Sequence, residues 1–213
     1  MHIINQIAKN VSRYNRLRKW TLFLKEFPAV ASARVLDVGY EDVEDLDLSN
    51  HLEKAYPYPS QIVALGITRP TLFRQRYKEV RTVIYDGTAF PFADHSFDLC
   101  WSNAVLEHVG NSARQRFFLT EIQRVARRGW VTTPNRWFPL ELHSRSMFLH
   151  YLPKPIFDRY LRACGLGWCT GDYLHLLGRR QLVRLLGQAG ITRFRIRANR
   201  LFGLVLDFVV IFE

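Results

Sequence analysis

Five short apolar runs through the middle of the chain constrain its fold more than any other feature. They are RVLDV (34–38), QIVALGI (61–67), VRTVIYD (80–86), FDLCWSN (97–103) and GWVTTP (129–134). Short, continuous apolar runs suit strands buried on both faces, which is how parallel strands sit. The intervals between them read as helices. In Ser112 to Arg128, Ser112 and Gln115 have capping-box spacing, and Phe118, Ile122 and Val125 form one face. From Arg179 to Ala189, Leu182, Leu185, Leu186 and Ala189 point inward and Gly190 stops the helix. Strand and helix in alternation predict an α/β fold: a Rossmann-like, doubly wound, mostly parallel sheet with helices on both faces. The chain ends with ITRFRIRA and LFGLVLDFVVIFE, joined by a short loop around Asn199. So short a connection cannot make a parallel crossover, so the C-terminal strand is expected to be antiparallel.

Two segments fall outside the alternation. Ile4, Ile7, Val11, Tyr14 and Leu17 make one helical face, with Lys9, Arg13, Arg16 and Lys19 largely off it, and Pro28 stops the helix. Residues 1–30 therefore read as a helical extension that covers a face or mouth of a domain at 31–213. Within that domain, residues from about 134 to 178 are rich in aromatics, Pro and His and read as an insertion after the fifth strand.

Composition narrows the function classes. A chain of 213 residues can bury a core without disulfides, and its three cysteines, Cys100, Cys164 and Cys169, have no paired spacing. A reduced, cytoplasmic protein is expected, with no structural zinc site. The last apolar run is too short to span a bilayer and contains Asp207, so no transmembrane segment is expected. The net charge of +11 keeps nucleic acid open as a partner. With no recognisable RNA-binding signature, that reading ranks last. A homodimer through surface aromatics also stays open.

In a doubly wound sheet, ligands bind beyond the C-terminal strand ends. Those ends carry small and polar residues: Asp37, Val38 and Gly39; Gly66, Ile67 and Thr68; Asp86, Gly87 and Thr88; Ser102 and Asn103; Thr133, Pro134 and Asn135. Such clustering predicts a small-molecule pocket. Three stretches, VLDVG, YDGTAFPFADHSFDLCWSNAVLEHV and RVARRGWVTTPN, resemble the class I S-adenosylmethionine-dependent methyltransferases. The similarity is to the type 11-like branch with the DG…LPF…SFD…EH pattern, over about residues 34–135. The resemblance implies S-adenosylmethionine as cofactor. It places Asp37, Val38 and Gly39 near the methionine part, Asp86 with Gly87 and Thr88 at the adenosine, and Ser102 and Asn103 at the methyl-bearing end.

The first loop departs from the family. Its usual Gly-x-Gly-x-Gly is reduced to Gly39, followed by the acidic YEDVEDLDLSN. The acidic residue after the second strand is also replaced, by Thr68. SNHLEKAYPYPSQIVALGI and TTPNRWFPLELH resemble a bacterial sub-branch, so an altered but working cofactor loop is expected. The insertion supplies Trp137, Phe138, Phe148, Tyr151 and Phe157 with Glu141, His143 and His150, a composition that suits an acceptor site. His143, close behind Glu141, is the first candidate for a general base, and His108 the second. His143 and His150 lack metal-ligand spacing, and no metal is expected. Asp98 reads as a local cap. The expected activity is methyl transfer to a small-molecule, glycan or lipid-like acceptor. The alternative is a non-catalytic binding or scaffold protein on the same fold.

Overall fold

The computed structural model describes residues 2–29, 31–44 and 49–213, and in the first helix the side chains of Asn10 and of residue 13 onward. Among the described residues, nine strands and six α-helices follow in the order α1 (His2–Glu26), β1 (Val35–Val38), α2 (His51–Ala55), β2 (Ile62–Gly66), α3 (Thr71–Arg76), β3 (Arg81–Ile84), β4 (Leu99–Asn103), α4 (Ser112–Val125), β5 (Gly129–Pro134), β6 (Leu140–Glu141), β7 (Ser146–Met147), α5 (Lys154–Ala163), α6 (Arg179–Gln188), β8 (Phe194–Leu201) and β9 (Leu204–Phe212). Seven strands form one sheet in the order β3-β2-β1-β4-β5-β9-β8, and β6 pairs with β7 in a separate ribbon. The backbone clusters into two compact units. The first comprises residues 1–102, 121–130 and 213, and the second residues 103–120 and 131–212.

In the first unit, β1 pairs in parallel with β2 and β4, and β2 with β3. Every residue of β1 and β2 is buried, as their uninterrupted apolar runs require. The edge strand β3 exposes Arg81 and Ile84 instead, and the charge guards an otherwise open edge. Asp98 accepts the backbone N–H of Arg34 at 2.8 Å, which ties the start of β4 to the start of β1.

An aromatic cluster lies under α1. Trp101 and Trp130 stack with ring centroids 5.7 Å apart and planes 3° from parallel. Phe23 meets both edge-on, at 4.7 and 5.4 Å. Among the described side chains, the buried positions of α1 are Asn15, Lys19 and Phe23, and Phe27 just past its end continues the spacing of four. Of the face expected from the sequence, Tyr14 and Leu17 are exposed, not buried, and the side chains of Ile4, Ile7 and Val11 lie outside the described residues. The large rings of Phe23 and Phe27 set which face of the described part of the helix is buried.

In the second unit, β8 and β9 form the expected antiparallel hairpin. Its turn lies at Phe202 and Gly203, not at Asn199, where the ladder has an irregularity between Asn199 and Arg200. The α6 face of Leu182, Leu185, Leu186 and Ala189 is buried, and Gly190 follows at φ 83°. The cap of α4 differs from the expected Ser112–Gln115 box. Asn111 Oδ1 accepts the N–H groups of Ala113 (3.0 Å) and Arg114 (3.3 Å), and the buried Gln115 amide donates instead to the carbonyls of Leu106 and His175. Residues 135–178 contribute the β6–β7 ribbon, α5 and a small core of Phe157, Leu161 and Cys169. The other aromatics of this stretch are outside that core: Trp137 and Phe148 are exposed. No described helix is long and apolar enough to cross a membrane.

Candidate functional site

At the end of β1 the chain turns at Gly39 (φ 102°), whose N–H donates to Leu65 O at 2.9 Å. Tyr40 then lays its ring over Gly66, where a Cβ would stand 2.5 Å from Tyr40 Cε1. The ring packs on Phe73 (4.8 Å), and its hydroxyl donates to the backbone carbonyl of Thr68. Glycine at 66 is thus needed for the approach of a side chain.

Side-chain hydrogen bonds shape the loop that follows. Asn50, in a left-handed conformation, accepts from Glu41 N and donates to Glu41 O, both at 2.8 Å, and donates to Glu44 at 2.9 Å. Asp42 Oδ1 accepts the N–H groups of Leu72 (2.8 Å) and Phe73 (2.9 Å) in the first turn of α3. Glu44 takes the ammonium of Lys54 (2.7 Å), the hydroxyl of Tyr77 and the guanidinium of Arg76 (3.0 Å). Burial alone would raise the Glu44 carboxyl, but the donors Lys54, Tyr77 and Asn50 hold it at about 2. The acidic residues therefore act as acceptors within a rebuilt loop. Asp45, Leu46, Asp47 and Leu48 lie outside the described residues.

Behind this loop two carboxyls meet in the interior. Asp37 on β1 and Glu53 on α2 are 5% and 6% exposed and face each other within hydrogen-bonding reach. Burial, then the proximity and hydrogen bond of Glu53, push Asp37 well above the usual carboxylate range, and burial raises Glu53. Two such groups cannot both ionise there, so the pair keeps a proton.

At the end of β3 the structure is open. Asp86, Gly87 and Thr88 are exposed, and Asp86 Oδ1 accepts both the N–H (2.9 Å) and the hydroxyl of Thr88. Those hydrogen bonds hold the Asp86 carboxyl below its ordinary range. Gly87 has φ +83°, and the one atom near its missing Cβ is Ile67 Cγ2 at 3.8 Å. Ile67 is itself 67% exposed, an apolar floor beside a carboxylate rim. Glu121 and Arg124 anchor the loop beyond. Glu121 accepts Phe90 N at 2.6 Å, and Arg124 donates to the carbonyls of Phe90 and Phe92 and to Asp94. Val38 and Ser102 are buried, and the Ser102 hydroxyl has no protein partner among the described residues.

The second unit holds the two histidines singled out from the sequence, and it brings them together. His108 Nε2 lies 3.1 Å from His143 Nε2. His108 Nδ1 is 2.9 Å from Tyr173 O. Glu141 sits at the end of β6 and is almost wholly buried. Its Oε1 accepts His143 N (2.9 Å) and faces His143 Nδ1 (2.7 Å), while its Oε2 accepts the N–H and hydroxyl of Ser144, both at 2.6 Å. Burial opposes ionisation of Glu141, but His143 and Ser144 hold it at about 2. The converse holds for His143: burial would lower it, and the hydrogen bond and charge of Glu141 raise it. Beside them Glu107 is fully buried and accepts the Thr133 hydroxyl at 3.1 Å. His150 is elsewhere, with Nε2 on Phe138 O at 2.9 Å. Asn103 Oδ1 accepts the Thr132 hydroxyl at 2.8 Å. A recess in the same unit is lined in part by Gln115, Arg136, His150, Phe157, His175 and Gln181. Two of these residues carry a buried nitrogen without a partner among the described residues, Arg136 Nε and His150 Nδ1. The spacing of Glu141 and His143 announced their contact. Nothing local announced the approach of His108, 35 residues away, or of Tyr173.

Residues 41–131 match the family described as methyltransferase domain. No curated protein matches the sequence. Similar solved structures include an S-adenosylmethionine-dependent methyltransferase from Mesorhizobium loti (14% identity, 91% of this chain and 96% of that one, TM-score 0.59). Another, from Methanosarcina mazei, is 17% identical over 87% of this chain and 96% of that one, with a TM-score of 0.54. The Burkholderia thailandensis 1,6-didemethyltoxoflavin-N1-methyltransferase, solved with 1,6-didemethyltoxoflavin and S-adenosylhomocysteine, is 15% identical over 92% of this chain and 76% of that one, with a TM-score of 0.59. At these identities the likeness is one of fold. The match over residues 41–131 and the sheet order together give this chain the Rossmann-like fold of the class I S-adenosylmethionine-dependent methyltransferases.

Proposed function

We propose that the protein is an S-adenosylmethionine-dependent methyltransferase acting on a small-molecule, glycan or lipid-like acceptor. The open turn at Asp86–Gly87 carries the cofactor half of this reading. An apolar floor at Ile67, no Cβ at Gly87 and a carboxylate at the rim suit a flat base with an exocyclic amine. Asp86, Gly87, Thr88 and Thr68 would hold the adenosine, Asp37, Val38 and Gly39 the methionine part, and Ser102 and Asn103 would line the methyl-bearing end. Bound there, the cofactor supplies an electrophilic methyl group on a sulfonium.

The protein's own chemistry is then the handling of the acceptor's proton. The Glu141 carboxylate takes the Nδ1–H of His143, which leaves the His143 Nε2 lone pair as the base. His108 Nε2, 3.1 Å away, can share the proton once it is taken. The recess lined by Arg136, His150 and Phe157 combines an apolar wall with one unpaired donor, Arg136 Nε, and one unpaired acceptor, His150 Nδ1, as a hydroxyl-bearing acceptor would need. The Burkholderia neighbour, named for a small heterocyclic acceptor, supports the small-molecule class.

One observation favours a second reading. Tyr40 packs over Gly66 and ties down the Thr68 carbonyl, in a loop with no glycine after Gly39, as in a fold retained for binding without catalysis. Calorimetry with S-adenosylhomocysteine separates the two. Micromolar binding, weakened at least ~10-fold (about 1.4 kcal/mol) by Asp86→Ala, is the expected result. Folded protein that binds neither S-adenosylhomocysteine nor S-adenosylmethionine would establish the second reading instead.

A further inference from the structure

Glu107, His108 and His143 each offer one ligand atom, and these atoms lie within 4.8 Å of one another. The hydrogen bonds around them fix what each atom can do. A backbone carbonyl only accepts, so His108 Nδ1, 2.9 Å from Tyr173 O, carries its proton and directs a lone pair from Nε2. An ionised carboxylate also only accepts, so His143 Nδ1, 2.7 Å from Glu141, is protonated as well. The two Nε2 lone pairs then face each other across 3.1 Å, a contact that needs a positive charge between them. A single proton would join the imidazoles. It would leave Glu107 Oε1, in a fully buried side chain, still without a partner among the described residues.

We propose that Glu107, His108 and His143 bind one divalent transition-metal ion of the zinc class through a carboxylate oxygen and the two Nε2 atoms. Metal–nitrogen bonds of ~2.0–2.1 Å at a tetrahedral angle hold two ligand nitrogens ~3.3 Å apart, close to the spacing present without the ion. The surrounding contacts are those of ligating histidines, each of which donates its other N–H to a carboxylate or a backbone carbonyl. Two imidazoles favour zinc, cobalt or nickel over magnesium or calcium. Three protein ligands with His143 partly exposed leave a fourth position for an exchangeable ligand.

The ion site rests on the second unit alone and stands whether or not the chain binds S-adenosylmethionine. Its role in catalysis does rest on the methyl-transfer reading. With the ion in place His143 Nε2 is a ligand, and an acceptor hydroxyl at the fourth position would be acidified by the metal's charge, its proton passing to solvent.

The test uses the full chain, stripped with chelator and dialysed. Zinc titration by calorimetry should show one equivalent bound with a Kd below ~1 μM, and cobalt should give the intense visible absorption of a four- or five-coordinate site. Glu107→Gln, His108→Gln and His143→Gln should each weaken zinc at least ~10-fold, and the exposed His95→Gln should leave it unchanged. Folded wild-type protein that binds zinc no tighter than ~10 μM, or gives only the faint spectrum of hydrated cobalt, overturns the site. So does zinc binding that survives in both histidine variants. S-adenosylhomocysteine affinity, measured on the same stripped protein, reports separately on the cofactor reading.

Discussion

Asp37→Asn should make the protein more stable at neutral pH, and progressively more so as pH rises. The folded-state pKa of Asp37 is raised by burial and by Glu53, so above the ordinary carboxylate range folding takes up a proton. With more protons bound folded than unfolded, stability falls as pH climbs, by at most about 1.4 kcal/mol per pH unit for one proton. Asparagine is close in shape, carries no titration and can donate its amide to Glu53 in place of the shared proton. The difference between variant and wild type should therefore be near zero at about pH 4 and grow in favour of the variant up to the raised pKa. For a chain of this length the limiting slope is roughly 3–6 °C in Tm per pH unit. Urea or thermal unfolding of both proteins at pH 4, 5, 6, 7 and 8 measures it. A stability difference that does not change with pH, or that favours aspartate increasingly at higher pH, would refute a proton held between the two carboxyls.

Other outcomes follow from the same geometry. Gly66→Ala drives a methyl group into the Tyr40 ring and should cost about 1–3 kcal/mol in chemical unfolding, with Tyr40→Phe milder at about 0.5–1.5 kcal/mol for the lost bond to Thr68. Phe23→Ala empties the space beside Trp101 and Trp130 and should cost about 3–5 kcal/mol. Glu141→Gln should lower the His143 pKa in an NMR titration of the imidazoles, and an unchanged or higher pKa would refute the pairing. The Glu141 contribution is present above about pH 4.5 and the raised His143 contribution below about pH 6.5, so between these values this pair stabilises most and the variant should lose most.

Much of this protein is legible from local pattern. Burial on both faces demands continuous apolar runs, so Val35–Val38 and Ile62–Gly66 declare themselves, and a short connection forces the β8–β9 pair to be antiparallel. The inward leucines of α6 and Gly190 behind them are equally short-range facts, whereas Asp98, read as a local cap, instead accepts the N–H of Arg34, 64 residues away. What sequence alone left open involves partners distant along the chain. The rotation of α1 was decided by Trp101 and Trp130, which no periodicity within the helix encodes. The Asn111 cap prevailed because Gln115 found the carbonyls of Leu106 and His175. The missing glycines of the first loop read as an open question until Tyr40 was seated on Gly66 and Asn50 on Glu41. The meetings of Asp37 with Glu53 and of His108 with His143 follow the same rule. Hydrophobic period and turn chemistry act over a few residues and are written in order along the chain. The pairing of buried polar groups is set by which surfaces the packed sheet and helices bring face to face, and only the tertiary structure decides that.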